Sequence, residues 1–319
     1  MGENMENKNF FERMKMDIDE LSYYYMVKRK EKFDKGVPLR GINIRKLIHF
    51  IPLSLIKIDK RLEHEKITVI NDERTKYKWY DKNKRPIIFA CGHFGGNDIH
   101  RVFETLKAPA YLLFGDPVGT YKDIVGFILV LNGAINLETR NKTDRKIAKQ
   151  RSIELLSKNG NLLIFPEGAW NLSPNLLTMK LYKGTAEMAK ETGCDIVPIA
   201  VEELNKNYIV SIGKTISKEE YEDLSVYELN DLIRDRISTE KYRIIEKNKI
   251  SRKNMPEIDV KDFEKYIVNK CGYGYTVEDV YETKFVDKDI TLQEDVFKHL
   301  DDIEPDINNA FLFSKRNHH

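Results

Sequence analysis

Apolar residues fall along the middle of the chain in short, nearly continuous runs. PIIFACG (86–92), PAYLLFG (109–115), AINL (134–137), NLLIFP (161–166), DIVPIAV (195–201) and YIVSI (208–212) each predict a strand. Their lack of strict alternation fits strands covered on both faces. Between them the period turns helical. Asn97–Leu106 follows a glycine pair, and Thr143–Lys158 opens at a capping hydroxyl and ends at Asn159-Gly160. Gly184–Thr192 stops at Gly193, a left-handed cap by its residue type. This alternation predicts an α/β fold, a mostly parallel mixed sheet covered by helices.

The flanks read differently. Residues 42–62, INIRKLIHFIPLSLIKIDKRL, combine an apolar stripe with Arg45, Lys46, Lys57, Lys60 and Arg61, and Pro52 breaks or kinks any helix there. Ser225 and Glu228 form a capping box opening a helix with Val226, Leu229, Ile233 and Ile237 on one face. Beyond Asn248 the chain turns polar and acidic with weak periodicity, as an appended subdomain. Three segments follow: an N-terminal amphipathic, basic helical stretch over 1–79, the α/β domain over 80–248, and an acidic C-terminal extension over 249–319.

Composition narrows the picture. With 319 residues, 41% hydrophobic and 33% charged, the chain holds enough apolar material for a core, which excludes a largely disordered protein. The 53 basic and 51 acidic side chains leave +2, so no global field points to nucleic acid. That near-balance hides a basic front, because residues 28–61 carry eleven basic and three acidic side chains. Residues 255–319 carry eight basic and fifteen acidic ones. Cys91, Cys194 and Cys271 are widely spaced, which gives neither a disulfide framework nor a zinc cluster. The first twenty residues show no secretory pattern, and the longest apolar run, Ile124–Leu131, is far short of the ~20 residues of a membrane span. A cytoplasmic protein, soluble or peripheral, is expected.

Candidate chemistry gathers at the ends of the predicted strands. His93 leaves the carboxyl end of the first strand, where α/β sheets bind ligands, and Gly95-Gly96 allow a turn that returns Asp98 toward the imidazole. A carboxylate on one ring nitrogen leaves the other to take a proton. The plainer alternative is a buried histidine at a strand end, with Asp98 as a helix cap. Phe165-Pro166-Glu167-Gly168 ends another strand, as a rim for a ligand or as a simple turn. Gly133 to Arg140 delivers a guanidinium to the same edge, for phosphate or for solvent. Val197-Pro198-Ile199 reads chiefly as core. Cys91 reads as a buried apolar residue rather than a nucleophile.

Together, in this order and spacing, these four segments resemble the glycerolipid acyltransferase family, lysophosphatidate acyltransferase type. His93 and Asp98 match its H-x4-D motif, Gly133 and Arg140 its Gly…Arg motif, Phe165–Gly168 its F-P-E-G motif, and Val197–Ile199 its V-P-[IV] motif. The resemblance covers about residues 85–215. It implies transfer of a fatty acyl group from acyl-CoA or acyl carrier protein to a lysophospholipid hydroxyl, commonly on 1-acylglycerol-3-phosphate. It implies His93 as general base, Asp98 as its partner, no acyl-enzyme, and no metal or organic cofactor. Arg140, Glu167, Gly168, Gly133 and Lys183 are then the expected substrate-binding residues. One departure stands out: many relatives continue with Thr-Arg-Ser, where this chain has Ala169-Trp170-Asn171. The phosphate ligand lost there leaves Lys180 or Lys183 as substitutes, and leaves open a glycolipid or saccharide hydroxyl as acceptor. A catalytically idle membrane-binding module is the third reading. Residues 28–61 are expected to dock the protein on an anionic membrane surface, at the inner face of the membrane.

Overall fold

A computed structural model of the chain describes residues 7–76, 84–95, 97–115, 128, 130–139, 141–172, 176–248, 260–270, 276–278 and 280. Seven strands form one sheet: β1 (Lys66–Asp72), β2 (Ile87–Cys91), β3 (Tyr111–Phe114), β4 (Ala134–Asn136), β5 (Leu162–Ile164), β6 (Asp195–Leu204) and β7 (Asn207–Ile212). Their order is β1-β7-β6-β2-β5-β3-β4. The β6–β7 hairpin is antiparallel, and the other pairings run parallel. The mostly parallel mixed sheet expected from the sequence is therefore the fold. β1 is an addition to that expectation. It lies within the stretch read as helical and pairs with β7. As an edge strand it is half exposed, so its sequence KITVIND lacks a continuous apolar run.

Side chains alternate across the sheet, as strand geometry requires. Ile87, Phe89 and Cys91 point into one core with Ile56, Val102, Phe103 and Ile267. These last belong to α4 (Phe50–Leu62), α5 (Asp98–Leu106) and α10 (Val260–Lys270). Ile88 and Ala90 point to the other side and meet Leu155, Ala186, Leu229, Ile233 and Ile237. Those come from α6 (Lys142–Ser157), α7 (Gly184–Thr192) and α9 (Val226–Asn248), with α8 (Lys218–Tyr221) between the last two. The result is three layers, helix–sheet–helix. α10 seats Ile267 and Val268 in the first core, so this part of the C-terminal stretch shares the core of the sheet.

Local signals explain the helix ends. Gly193 closes α7 at φ +65°. The Ser225–Glu228 box forms in both directions, at 2.7 and 3.2 Å. α6 is capped two residues earlier than expected, by the Asn141 side chain accepting from the Asp144 N–H (2.9 Å) rather than by Thr143. The front of the chain forms α1 (Phe10–Lys15), α2 (Ile18–Asp34) and α3 (Ile42–Ile48) ahead of α4. Pro52 sits in the first turn of α4. Its ring excludes the carbonyl four residues back, that of Ile48, which is where α3 ends.

A buried ionic cluster joins α4 to α5. The Arg101 side chain is fully buried and pairs with Glu65 and with Asp59 (2.8 Å). It also donates to the Ile56 carbonyl (3.3 Å), and the Asn97 side-chain amide donates to Glu65 (2.9 Å). Among the described residues no helix is long and apolar enough to cross a membrane.

Candidate active site

Strand register brings the two main motifs together. β2 and β5 pair in parallel with Ile88 opposite Leu162 and Ala90 opposite Ile164. Three residues past each of the latter lie His93 and Glu167, side by side on the carboxyl rim. The His93 N–H donates to Glu167 Oε1 (2.8 Å), and the Met179 N–H donates to Oε2 (2.8 Å). The Asn171 N–H donates to the His93 carbonyl (2.8 Å), so both backbone groups of His93 are held.

The chain turns at Gly95, whose φ of +118° favours glycine, and enters α5 at Asp98. Asp98 Oδ2 then accepts from His93 Nδ1 (2.8 Å), the Phe94 N–H (2.8 Å) and the Gly95 N–H (2.9 Å). The carboxylate is fully buried, while the imidazole keeps 13% of its surface open. With Nδ1–H donating to Asp98, Nε2 carries the lone pair that can accept a proton. The Phe165 ring lies 4.5 Å from the imidazole, and Trp170 stands edge-on at 6.2 Å. An apolar wall with one oriented base is an arrangement that can take a proton from a substrate hydroxyl.

The remaining expected residues fall unevenly. Glu167 is 1% exposed with both oxygens bonded to backbone, so it does not present its carboxylate to a head group. It is a bracket for His93. Burial raises its carboxyl above the ordinary value, against the pull of its two N–H bonds and of the Lys241 and His93 charges. Gly168 does reach the exposed rim, with the Tyr182 ring so close that an added Cβ would lie 2.2 Å from it. Gly133 stands at the amino side of β4, with its carbonyl taking the Leu112 N–H (2.9 Å) and Tyr111 packed on its Cα. That is roughly five residues, about 16 Å along the strands, behind His93, so Gly133 is a packing glycine and not a substrate ligand. Lys183 is exposed, with its ammonium over the Tyr227 ring (5.6 Å) rather than against the His93 pair.

Arg140 lies outside the described residues, and so do Gly96 and Cys271. The residues leading to Arg140 are braced from α2. Arg29 pairs with Asp144 (2.6 Å), Asp144 accepts the Glu138 N–H (2.6 Å), and the Ser22 hydroxyl donates to Glu138 (3.0 Å). Cys91 is fully buried, and burial together with the Asp98 charge pushes its thiol well up, which fits a core residue and not a nucleophile. Val197 and Ile199 are buried within β6. Among the described residues no group of three or more His, Cys, Asp or Glu is placed to hold a metal ion.

Two supporting residues escaped the sequence reading. The Tyr208 hydroxyl accepts the Asn97 N–H (3.0 Å) beside Asp98. Lys241 places its ammonium over the Phe94 ring, 5.2 Å from the centroid. A sequence signal for Lys241 did exist: a lysine four residues past Ile237 falls on the apolar face of α9.

Comparison with known proteins bears on the domain that carries these residues. A model of the acyltransferase family matches residues 66–202. The curated 1-acyl-sn-glycerol-3-phosphate acyltransferase of Borreliella burgdorferi is 28% identical over 88 residues, covering 28% of this chain and 34% of the relative. The match thus spans about a third of that relative's length. Among solved structures, the 1-acyl-sn-glycerophosphate acyltransferase PlsC of Thermotoga maritima superposes with a TM-score of 0.50 at 12% identity, covering 72% of this chain and 98% of that one. That superposition shares the fold alone. Residues 66–202, the stretch that holds His93, Asp98 and Glu167, are thus similar to acyltransferase domains.

Proposed function

We propose that the protein transfers a fatty acyl group from acyl-CoA or acyl carrier protein to the hydroxyl of a lysophospholipid, with 1-acylglycerol-3-phosphate as the first candidate. The observation that carries this reading is the His93 imidazole, fixed by Asp98 at 2.8 Å and opening onto an apolar rim. His93 Nε2 takes the proton of the acceptor hydroxyl. The oxygen attacks the thioester carbonyl, the C–S bond breaks, and the leaving thiolate takes the proton back from the imidazolium. Asp98 stabilises that imidazolium. Gly168 and Arg140 remain the candidates for the acceptor head group.

Trp170, edge-on to the base, favours one second reading, a saccharide or glycolipid hydroxyl stacked on the indole. A panel of lysophospholipids and glycosides, assayed with acyl-CoA and with acyl carrier protein, separates the two. Thiol release that depends on a lysophospholipid supports the proposal, and release only with saccharides moves the acceptor to the second class. No acceptor-dependent release with either donor sinks the acyl-transfer proposal.

The reading extends to docking at a bilayer, which the exposed apolar positions of α3 and α4 support. Leu47, Ile51, Leu55, Ile58 and Leu62 recur at helical spacing and stand exposed, while Pro52 and Ile56 face the protein. The basic front contributes less than its charge count implies. Arg45 donates to the Tyr111 hydroxyl (3.0 Å), Lys46 to the Asn159 carbonyl (2.7 Å), and Lys60 pairs with Glu104 (2.6 Å). Of the five basic residues in 42–62, Lys57 and Arg61 stay exposed. At about 1 kcal/mol for each basic residue near an anionic surface, apolar insertion dominates. Vesicle sedimentation is therefore expected to survive raised salt and to be lost in Leu47→Glu/Leu55→Glu. Binding by that double variant at the wild-type level is the outcome that excludes α3–α4 as the docking face.

A further inference from the structure

α9 lies outside the residues that match the family, yet one of its side chains reaches the catalytic corner. Lys241 is 6% exposed, a costly place for an ammonium unless it is paired. It is paired. Its Nζ lies 2.6 Å from Glu202 Oε2 and donates to the Val201 carbonyl at 2.7 Å, both at the end of β6. The same ammonium faces the Phe94 ring at 5.2 Å. Phe94 follows His93 directly, and its N–H donates to the oxygen of Asp98 that orients the imidazole. α9 also presses on this corner one turn earlier, where Ile237 would meet a Cβ on Gly92 at 3.3 Å.

We propose that Lys241 is a positioning residue for the His93–Asp98 pair, with its ammonium, anchored by Glu202 and Val201, clamping the Phe94 ring and so the backbone turn that holds Asp98 against the imidazole. The inference rests on the acyl-transfer reading of that pair. The clamp combines two interactions that reinforce each other. A cation over an aromatic face is held more strongly away from water, and the buried ion pair holds that cation in one place.

A second consequence concerns charge. Glu167 brackets the His93 N–H, and the charged or titratable groups bearing on it are Lys241 from α9, with His93 and Cys91 from the β2 end. Lys241 favours the ionised carboxylate, the form that accepts both N–H bonds. Removing the ammonium therefore makes Glu167 take up a proton at higher pH, and the acid limb of kcat/KM moves up with it.

The test uses the full chain. In Lys241→Met/Glu202→Gln, which leaves neither an orphan cation nor an orphan carboxylate, kcat is expected to fall by about ten- to a hundredfold. KM for the acceptor should stay within about twofold, since no acceptor contact is removed. In Lys241→Met alone, which keeps the Glu202 charge, the acid limb should shift to higher pH, and Lys241→Arg should recover part of kcat. A readout independent of substrate is diethylpyrocarbonate labelling of His93, followed by mass spectrometry. Its rate should rise several-fold once the clamp is gone. Should the double variant not fold, Phe94→Leu removes the ring while keeping the Lys241–Glu202 pair, and it should accelerate labelling likewise. A folded variant that labels His93 at the wild-type rate overturns the proposal. Failure of the acyl-transfer reading is visible separately, as the absence of acceptor-dependent thiol release by the wild type.

Discussion

His93→Ala is expected to lower kcat by about two to four orders of magnitude while the protein still folds. The imidazole holds its place through Asp98, but the backbone around it is held by Glu167 and Asn171 and does not need the ring. Asp98→Asn should slow transfer by a comparable factor for a different reason. Its Oδ2 collects three donors, from His93, Phe94 and Gly95, and a neutral amide no longer stabilises the imidazolium. Thiol release in the presence of acceptor measures both effects, and circular dichroism melting confirms the fold. Turnover by His93→Ala near the wild-type level would exclude the general-base mechanism outright.

The largest expected effect on stability comes from Arg101→Met. The guanidinium is fully buried among Asp59, Glu65 and the Ile56 carbonyl. Removing it strands the buried Glu65 carboxylate, while Asp59 keeps some contact with water, and breaking a buried pair in this way costs about 3–5 kcal/mol. For a chain of this size the melting temperature should fall on the order of 10 °C. Adding Asp59→Asn and Glu65→Gln to Arg101→Met should recover part of the loss, since the uncompensated charge is then gone. A single variant that melts with the wild type would show that the cluster contributes nothing.

What the sequence revealed and what it hid divide along physical lines. Six strands were legible because strands covered on both faces carry continuous apolar runs. β1 was not, because none of its residues is fully buried and KITVIND breaks its apolar run, whereas β4 at the other edge keeps a short one. The His93 and Asp98 pairing was legible because a five-residue separation across a glycine turn is a local matter. The role of Glu167 was not. A glutamate at a strand rim reads as exposed until the register shows two N–H groups converging on it. Gly133 misled for a related reason, since motif order along the chain does not tell which end of a strand a residue occupies. The charge of residues 28–61 was countable, but its partners Asp144, Glu104 and the Tyr111 hydroxyl are far away in sequence.

The Arg101 cluster has a geometric consequence for the proposed lipid acceptor. α5 begins at Asp98 and is bolted through Arg101 to Asp59 on α4, the helix whose outer face is apolar. Whatever plane α4 rests on, the imidazole stands at a set height above it. On a bilayer, that height becomes a depth gauge. A hydroxyl lying at the matching level within the head-group layer meets the base, while a chemically identical hydroxyl carried higher or lower does not. Lysolipids differing only in the length of the linkage between glycerol and head group should then separate by rate rather than by affinity.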